Sequence, residues 1–295
     1  MNWIILTFLG ITWGLSFTIS KIAAKAGGTP IGLTFWQSII SATLLFVFIT
    51  WKHGKFRLEK SLYKFILIVS LLAGVFPNII WYAAAYHVDA GILAISVSVI
   101  PLFTYFIALA LKLDVFNTTK VVGLILGFIA LLILVIPENS LPDRKDVPWV
   151  LLSLVCSLCY AIENIYIDKI KPERFGPIQI ACAIAIVCSF FTLPLAVVTD
   201  QFFVPSLHNK PLLFSIISLS LITASCYAIF IFLIGRAGSV FASQVGYIVT
   251  FFGVLWGIIL LNEAHSSFVW ISLILIVIGV FLVQPRDNKE KTGHK

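Results

Sequence analysis

The chain has 295 residues, 60% of them apolar and 11% charged, with a net charge of +7. Soluble domains run at roughly 45–50% apolar and about 25% charged, so a mean hydropathy of +1.06 excludes an ordinary soluble protein. Ten apolar spans of about 20 residues each take up roughly two-thirds of the length, which leaves short loops and excludes a separate soluble catalytic domain.

The apolar runs predict spans at 3–20, 32–50, 63–86, 92–111, 120–137, 148–167, 177–199, 211–234, 240–261 and 267–284. Each is read as a helix, because an unpaired backbone amide in hydrocarbon costs several kcal/mol. No basic stretch precedes residues 3–20 and no small-residue cleavage site follows them, so they are expected to remain as a first span rather than a signal peptide. This span carries Thr12, Ser16 and Ser20, with Trp13 alongside. In span three Asn78, Tyr82 and Tyr86 recur every four residues and share a face. Pro77, just before them, has no N–H and predicts a local kink. Pro101 falls in the middle of span four, where a proline either opens backbone groups to a site or hinge or simply packs around a bend.

A hydrophilic stretch from Pro137 to Pro148, with Asp143, Arg144, Lys145 and Asp146, is the natural joint between two halves. It divides the chain into a first five-helix repeat at 1–140, a second at 141–285 and a basic tail at 286–295. Span six places Ser153, Ser157, Tyr160 and Asn164 on one side, a stripe that serves either as interhelical glue or as a cavity lining. Glu163, beside it, is the only carboxylate well inside a predicted span. An ionised carboxylate at a bilayer centre costs about 2.5–3.5 kcal/mol on insertion scales. Glu163 therefore faces a watery cavity, pairs with a partner or carries a proton, or else sits nearer the cytoplasmic helix end and caps or snorkels. Span eight offers Tyr227, and span nine offers Gln244 and Tyr247, three apart and flanking Gly246. The five cysteines all fall within spans and read as thiols. Cys156 and Cys159 form a C-x-x-C without further ligands, so no metal is expected. Trp3, Trp51 and Trp149, near span ends, suit interfacial belts.

The second five spans repeat the first. Ala90, Pro101 and Asp114 match Ser239, Thr250 and Glu263 at an offset of 149, as Asn78 matches Tyr227. Thr12, Ser16 and Lys21 match Tyr160, Asn164 and Lys169 at 148. Repeats with an odd number of spans must insert upside down relative to each other, a construction common in secondary transporters. Thr250 lacks the constraint of Pro101, so the two halves are expected to bend unequally. Fifteen Lys and Arg residues fall on one side, including Lys52, Lys55 and Lys60 of the loop before span three, against five on the other. The positive-inside rule makes the richer side, with both termini, cytoplasmic. The same asymmetry explains the basic charge without nucleic acid.

The run Ile11-Thr12-Trp13-Gly14-Leu15-Ser16-Phe17 with Lys21 after it, the passage Tyr82-Ala83-Ala84-Ala85-Tyr86 leading to Asp89-Ala90-Gly91, Pro101-Leu102-Phe103, and Leu260-Leu261-Asn262-Glu263 before a helix with Gly279 resemble the drug/metabolite transporter superfamily. The likeness is to its EamA-type ten-helix members and covers essentially the whole chain. It departs at Gln37, near where members often carry Arg, at Asp114 in place of Glu, and at Asn262 in place of Gly. The resemblance implies an all-α integral membrane protein with ten transmembrane helices in two inverted five-helix repeats.

The expected function is secondary transport of small metabolites by alternating access, with amino acids or related compounds first. Efflux is favoured because it is common in the family, and proton coupling is assigned to Glu163. The cavity is expected to draw on Trp13, Ser16, Asn78, Tyr82, Tyr86, Tyr160, Glu163, Asn164, Tyr227, Gln244 and Tyr247, with hinges at Pro77 and Pro101. Partners are a small-molecule substrate and the lipid bilayer of the cell membrane; no cofactor is implied, and no oligomeric state follows. There is no phosphate-binding G-x-x-x-x-G-K-[ST] and hence no sign of ATP as driver. Uptake or exchange of a larger, nucleoside-type metabolite is the alternative. An intramembrane enzyme lacks its H-E-x-x-H or paired carboxylates, and a non-transporting subunit stays open. Asp114 and Glu263, at the loop mouths, read as helix-end and loop residues, with a gate role as the alternative.

Overall fold

Backbone amides in hydrocarbon must be satisfied within their own segment, and the chain does this with helices throughout. The computed structural model describes residues 1–56, 58–135, 144–170 and 176–282. Among these, ten helices follow one another: α1 (Asn2–Lys25), α2 (Pro30–His53), α3 (Lys60–Ala84), α4 (Ala90–Ala110), α5 (Thr118–Val135), α6 (Val147–Ile170), α7 (Pro177–Val198), α8 (Lys210–Ala237), α9 (Ser239–Leu261) and α10 (Ser267–Leu282). Eight of them, all but α5 and α10, are long and apolar enough to cross a membrane. The 24 residues of α1 extend about 36 Å at 1.5 Å per residue, against a hydrocarbon layer of about 30 Å. The proposed boundary at 140/141 and the tail at 286–295 lie outside the described residues.

Helix ends follow local chemistry. Pro30, Pro177 and Pro211 sit in first turns, where no intrahelical N–H is needed. Gly238, at φ 85°, turns the chain from α8 directly into α9, a conformation that L side chains resist. Asn262 ends α9 at φ 53°. Asn is the residue after Gly that best tolerates this left-handed position, so the substitution of Asn for Gly there keeps the backbone.

The packing pattern carries the duplication. α2 lies on α7, α4 on α9 and α5 on α10. α1 packs on α8 and α9, as α6 packs on α3 and α4, and α2 on α8 is mirrored by α7 on α3. Adding five to every helix number returns the same pattern, so the halves are related by a two-fold operation. Five alternating helices also make α6 run opposite to α1. The chain is thus a ten-helix membrane protein of two inverted five-helix repeats.

Small residues set the closest seams, since packing rather than the hydrophobic effect joins helices in lipid. A Cβ on Gly14 of α1 would lie 2.9 Å from the backbone nitrogen of Gly253 on α9, and one on Gly279 of α10 would lie 2.6 Å from the Gly123 carbonyl of α5. Gly14→Leu is expected to cost about 1–3 kcal/mol by overpacking and to lower the thermal midpoint of the purified protein. An unchanged midpoint would show that this seam has slack.

Three helices depart from regular α hydrogen bonding at mid-length. Before Pro77, which cannot donate to Ala73, the turn Ser70–Val75 widens and the Phe76 N–H reaches back five residues to Leu71. Before Pro101, which cannot donate to Val97, the turn Val97–Val99 tightens and the Ile100 N–H takes the Val97 carbonyl instead. α9 is irregular too, although Thr250 replaces the proline. At Gln244 the backbone bonds shift to three-residue spacing, and the Gln244 side chain donates to the Val240 carbonyl at 3.0 Å. The second half thus also breaks its regular ladder, at a glutamine six residues before Thr250. Thr250 itself donates across to the Ala94 carbonyl of α4 at 2.8 Å.

Candidate functional site

Eight helices meet around a cavity of about 210 Å³ midway along their length. α5 and α10 contribute nothing to its lining and pack on each other. From the first half, α1 supplies Trp13, Ser16 and Ser20, and α3 supplies Asn78, Trp81 and Tyr82. From the second, α6 supplies Tyr160, Glu163 and Asn164, and α8 supplies Thr223, Tyr227 and Phe230. Two pairs matched in the repeat, Ser16 with Asn164 and Asn78 with Tyr227, all line it. This is the outcome expected when inverted copies share one central space.

Glu163 is buried in this lining and accepts a hydrogen bond from the Tyr227 hydroxyl of α8. It is the only Asp, Glu, Lys, Arg or His among the described lining residues. The titratable side chains around it are Tyr227 on α8, Tyr160 and Cys159 on α6, and Cys188 on α7. Asn164, next in α6, has its side-chain oxygen buried with no hydrogen-bond partner among the described residues. A second network crosses the cavity. Tyr82 of α3 donates to the side-chain oxygen of Gln37 on α2, and the Gln37 amide donates to the Thr223 hydroxyl of α8.

The remaining predicted residues lie elsewhere. α3 ends at Ala84, which carries Tyr86 past the face it would share with Tyr82; its hydroxyl donates to the Gly28 carbonyl. The Gln244 amide donates to the Val240 carbonyl, and its side-chain oxygen is buried without a partner among the described residues. Tyr247 points towards α5, fully buried against Gly127. Pro77 and Pro101 sit at two of the irregular turns, beside Gly74 and Val97 of the lining. The stripe on α6 divides. Ser157 donates to the Ser96 carbonyl of α4 at 2.9 Å, whereas Tyr160 and Asn164 line the cavity. The contributions of α2, α4 and α7 were missed in the sequence, although Gln37, Ser38 and Ser41 form a visible polar cluster in span two.

Carboxylates accept hydrogen bonds at the starts of α4 and α9. Glu263, one residue beyond Asn262, accepts from the Ala90 and Gly91 N–H groups at 2.8 and 3.1 Å. His265 lies 3.4 Å from it. Burial alone would raise the Glu263 pKa, but His265 and the Gly91 and Ala90 N–H groups outweigh it and hold the group below its ordinary value. At the other end, Asp168 accepts from the Ser239 N–H at 3.0 Å and the Ser239 hydroxyl at 2.7 Å. α6 runs on to Ile170, so Asp168 is a second buried carboxylate within this helix. Since the residues after α9 touch the start of α4, the two helices are antiparallel and these two contacts lie at opposite ends of the bundle. Lys21 of α1 also reaches the start of α4, donating to the Val88 carbonyl at 2.7 Å. Asp114 instead pairs with Lys120 at 3.2 Å.

Inverted halves and a mid-depth cavity fed by both are the architecture of a membrane transport protein. Residues 1–136 and 147–284 match the EamA-like transporter family, one match per half. An uncharacterized transporter, YvbV of Bacillus subtilis (strain 168), is 25% identical over 292 residues, covering 98% of this chain and 93% of that protein. An uncharacterized transporter of Archaeoglobus fulgidus is 24% identical over 183 residues, 61% of each chain. A crystal structure of a protein that is 14% identical superposes with a TM-score of 0.66 over 94% of this chain and 95% of its own, which supports the fold. The chain belongs to the EamA-like transporter family of the drug/metabolite transporter superfamily, a family of transporters and not of enzymes.

Proposed function

We propose that this protein exports small metabolites bearing an amino group, amino acids or related compounds, across the cell membrane by alternating access, with both termini cytoplasmic. The observation that carries the reading is Glu163, a lone carboxylate in a cavity built by both halves. A buried ionisable residue in a membrane helix marks a substrate or proton pathway. An ammonium group and a proton would compete for this carboxylate, so cargo moves one way as protons move the other. The irregular stretches at Pro77, Pro101 and Gln244 flank the cavity and serve as the pivots about which its two ends open in turn. The basic residues of the α2–α3 loop support the orientation.

The test is counterflow in proteoliposomes. Liposomes loaded with unlabelled amino compounds should take up the labelled compound transiently, saturably and only when the protein is present. Absence of exchange across a panel of amino compounds would remove the transport reading. Cysteine-accessibility labelling of loop positions in whole cells checks the orientation, since a labelled α2–α3 loop would reverse it.

A further inference from the structure

The two halves repeat one turn, once at each end of the bundle, and finish it with different chemistry. Residues 52–64 cover the turn from α2 into α3, and at an offset of 149 residues 201–213 cover the turn from α7 into α8. The second copy spends its polar groups on its own protein. The Gln201 carbonyl and side-chain oxygen accept from the Thr29 hydroxyl and the Ile31 N–H. The Phe203 carbonyl accepts from the Trp36 indole at 2.7 Å, and the Asn209 side-chain amide donates to the Ala26 carbonyl at 2.9 Å. In the first copy Lys52, Lys55, Lys60 and Lys64 stand where the second has Gln201, Val204, Asn209 and Leu213. All four lysines are exposed and make no ion pair among the described residues. Glu59, the only acid in this stretch, takes a hydrogen bond from the Ser61 hydroxyl at 3.3 Å. The positive-inside rule sets the side on which cations gather, but it does not ask for four of them unpaired on one turn. Elsewhere Lys120 pairs with Asp114, and Arg236 donates to Asn2 at 2.8 Å.

The lysines border an apolar strip that is open to lipid. Val47, Phe48 and Trp51 are exposed along the last turns of α2, Trp51 by 82%, and Tyr63 and Leu67 are exposed along the start of α3. The Lys52 ammonium lies 5.6 Å over the Phe48 ring, which meets Trp51 with centroids 6.4 Å apart. Phe56 folds back onto Phe46 of α2 at 6.1 Å and holds the turn against the helix end. Trp and Tyr at helix ends sit at the level of the lipid headgroups. Ammonium groups at that level, beside lipid-exposed rings, match a molecule with a negative head and apolar tails.

We infer that the turn from α2 into α3 is a binding surface for anionic phospholipid, with the phosphate-bearing head among Lys52, Lys55, Lys60 and Lys64 and an acyl chain along Phe48 and Trp51. Clusters of basic side chains at a helix end attract anionic headgroups, and the attraction fades within a Debye length. That length shrinks from about 10 Å at 0.1 M salt to about 3 Å at 1 M, so salt weakens the binding. The inference is independent of cargo and of transport direction.

Trp51 is the natural reporter. The full-length protein is reconstituted in phosphatidylcholine bilayers that contain either brominated phosphatidylglycerol or brominated phosphatidylcholine, whose bromines quench a tryptophan they touch. The Trp51 signal is the difference between each protein and its Trp51→Phe version. Brominated phosphatidylglycerol is expected to quench that signal at about one-third of the mole fraction that brominated phosphatidylcholine needs. Changing Lys52, Lys55, Lys60 and Lys64 together to Gln should make the two lipids equal, whereas changing all four to Arg should keep the preference. Lys210→Gln, at the twin turn, should leave it as it is. Raising the salt to about 1 M should remove the preference from the wild type, a readout that needs no variant to fold. Equal quenching by the two lipids in the wild type overturns the inference. So does a preference that survives high salt or the four glutamines, or one lost in the arginine series. Displacement of brominated phosphatidylglycerol by millimolar glycerol phosphate also overturns it, since the surface would then be a site for free phosphate and not for lipid.

Discussion

Glu163→Gln is expected to abolish the response of flux to a pH gradient. In wild-type proteoliposomes an acidic interior should drive accumulation of a carried amino compound, as protons leave and cargo enters. The variant keeps the side-chain oxygen that accepts from Tyr227, so the fold around α6 and α8 is preserved. It removes the group that alternates between proton and cargo. Accumulation should drop to the level of protein-free vesicles, while slow, pH-independent exchange persists at saturating cargo. A variant that still concentrates cargo with the gradient would show that the coupling proton rides elsewhere. Of the side chains near Glu163, Tyr227, Tyr160, Cys159 and Cys188, none is a base that ordinarily titrates near neutral pH.

Glu263→Ala should be the most destabilising single change at the ends of the bundle. It leaves the Ala90 and Gly91 N–H groups at the start of α4 without the acceptor that now serves both, at about 1–3 kcal/mol for each buried donor left unpaired. The thermal midpoint should fall, with Glu263→Gln intermediate because one acceptor oxygen remains. The pH dependence has a fixed sign. Glu263 is held below its ordinary 4.5 in the folded protein, so its contribution is full above the unfolded value and is lost as the pH falls through the lowered one. His265 faces Glu263 directly, and Lys21 and Asp89 stand at the same helix start. The gap in midpoint between wild type and Glu263→Gln should therefore be widest near neutrality and close below pH 4.5. A gap that widened on acidification would contradict this role.

Much of this architecture was legible before any coordinates. Helix count, inversion and mid-depth cavity follow from apolar run lengths and a constant repeat offset, because lipid leaves a helix no alternative hydrogen-bonding scheme. Period-four reasoning placed Asn78 and Tyr82 on the cavity but carried Tyr86 past the end of α3, since a face argument holds only while the helix lasts. Gln244 and Tyr247 were misjudged for a different reason. A polar residue at mid-span signals need, and here Gln244 answers a local backbone need at an irregular turn. Tyr247 shows that depth does not fix direction: it turns to α5. The role of α2 was hidden because Gln37 is neutral, and its worth lies in partners on α3 and α8 that only the folded chain brings together. Glu263 read as a loop residue because the amides it caps lie 172 and 173 positions away.

Those caps are not copies of each other. Glu263 sits between two amides and an imidazole, whereas Asp168 engages one amide and a serine hydroxyl. Asp114, the first-half partner of Glu263 in the repeat, is bound to Lys120 instead. Release at one mouth thus breaks different bonds from release at the other, and the resting population should favour one orientation. Half-saturation measured from the two faces of the membrane should then differ even with no gradient imposed, while the ratio of concentrations at equilibrium stays at one.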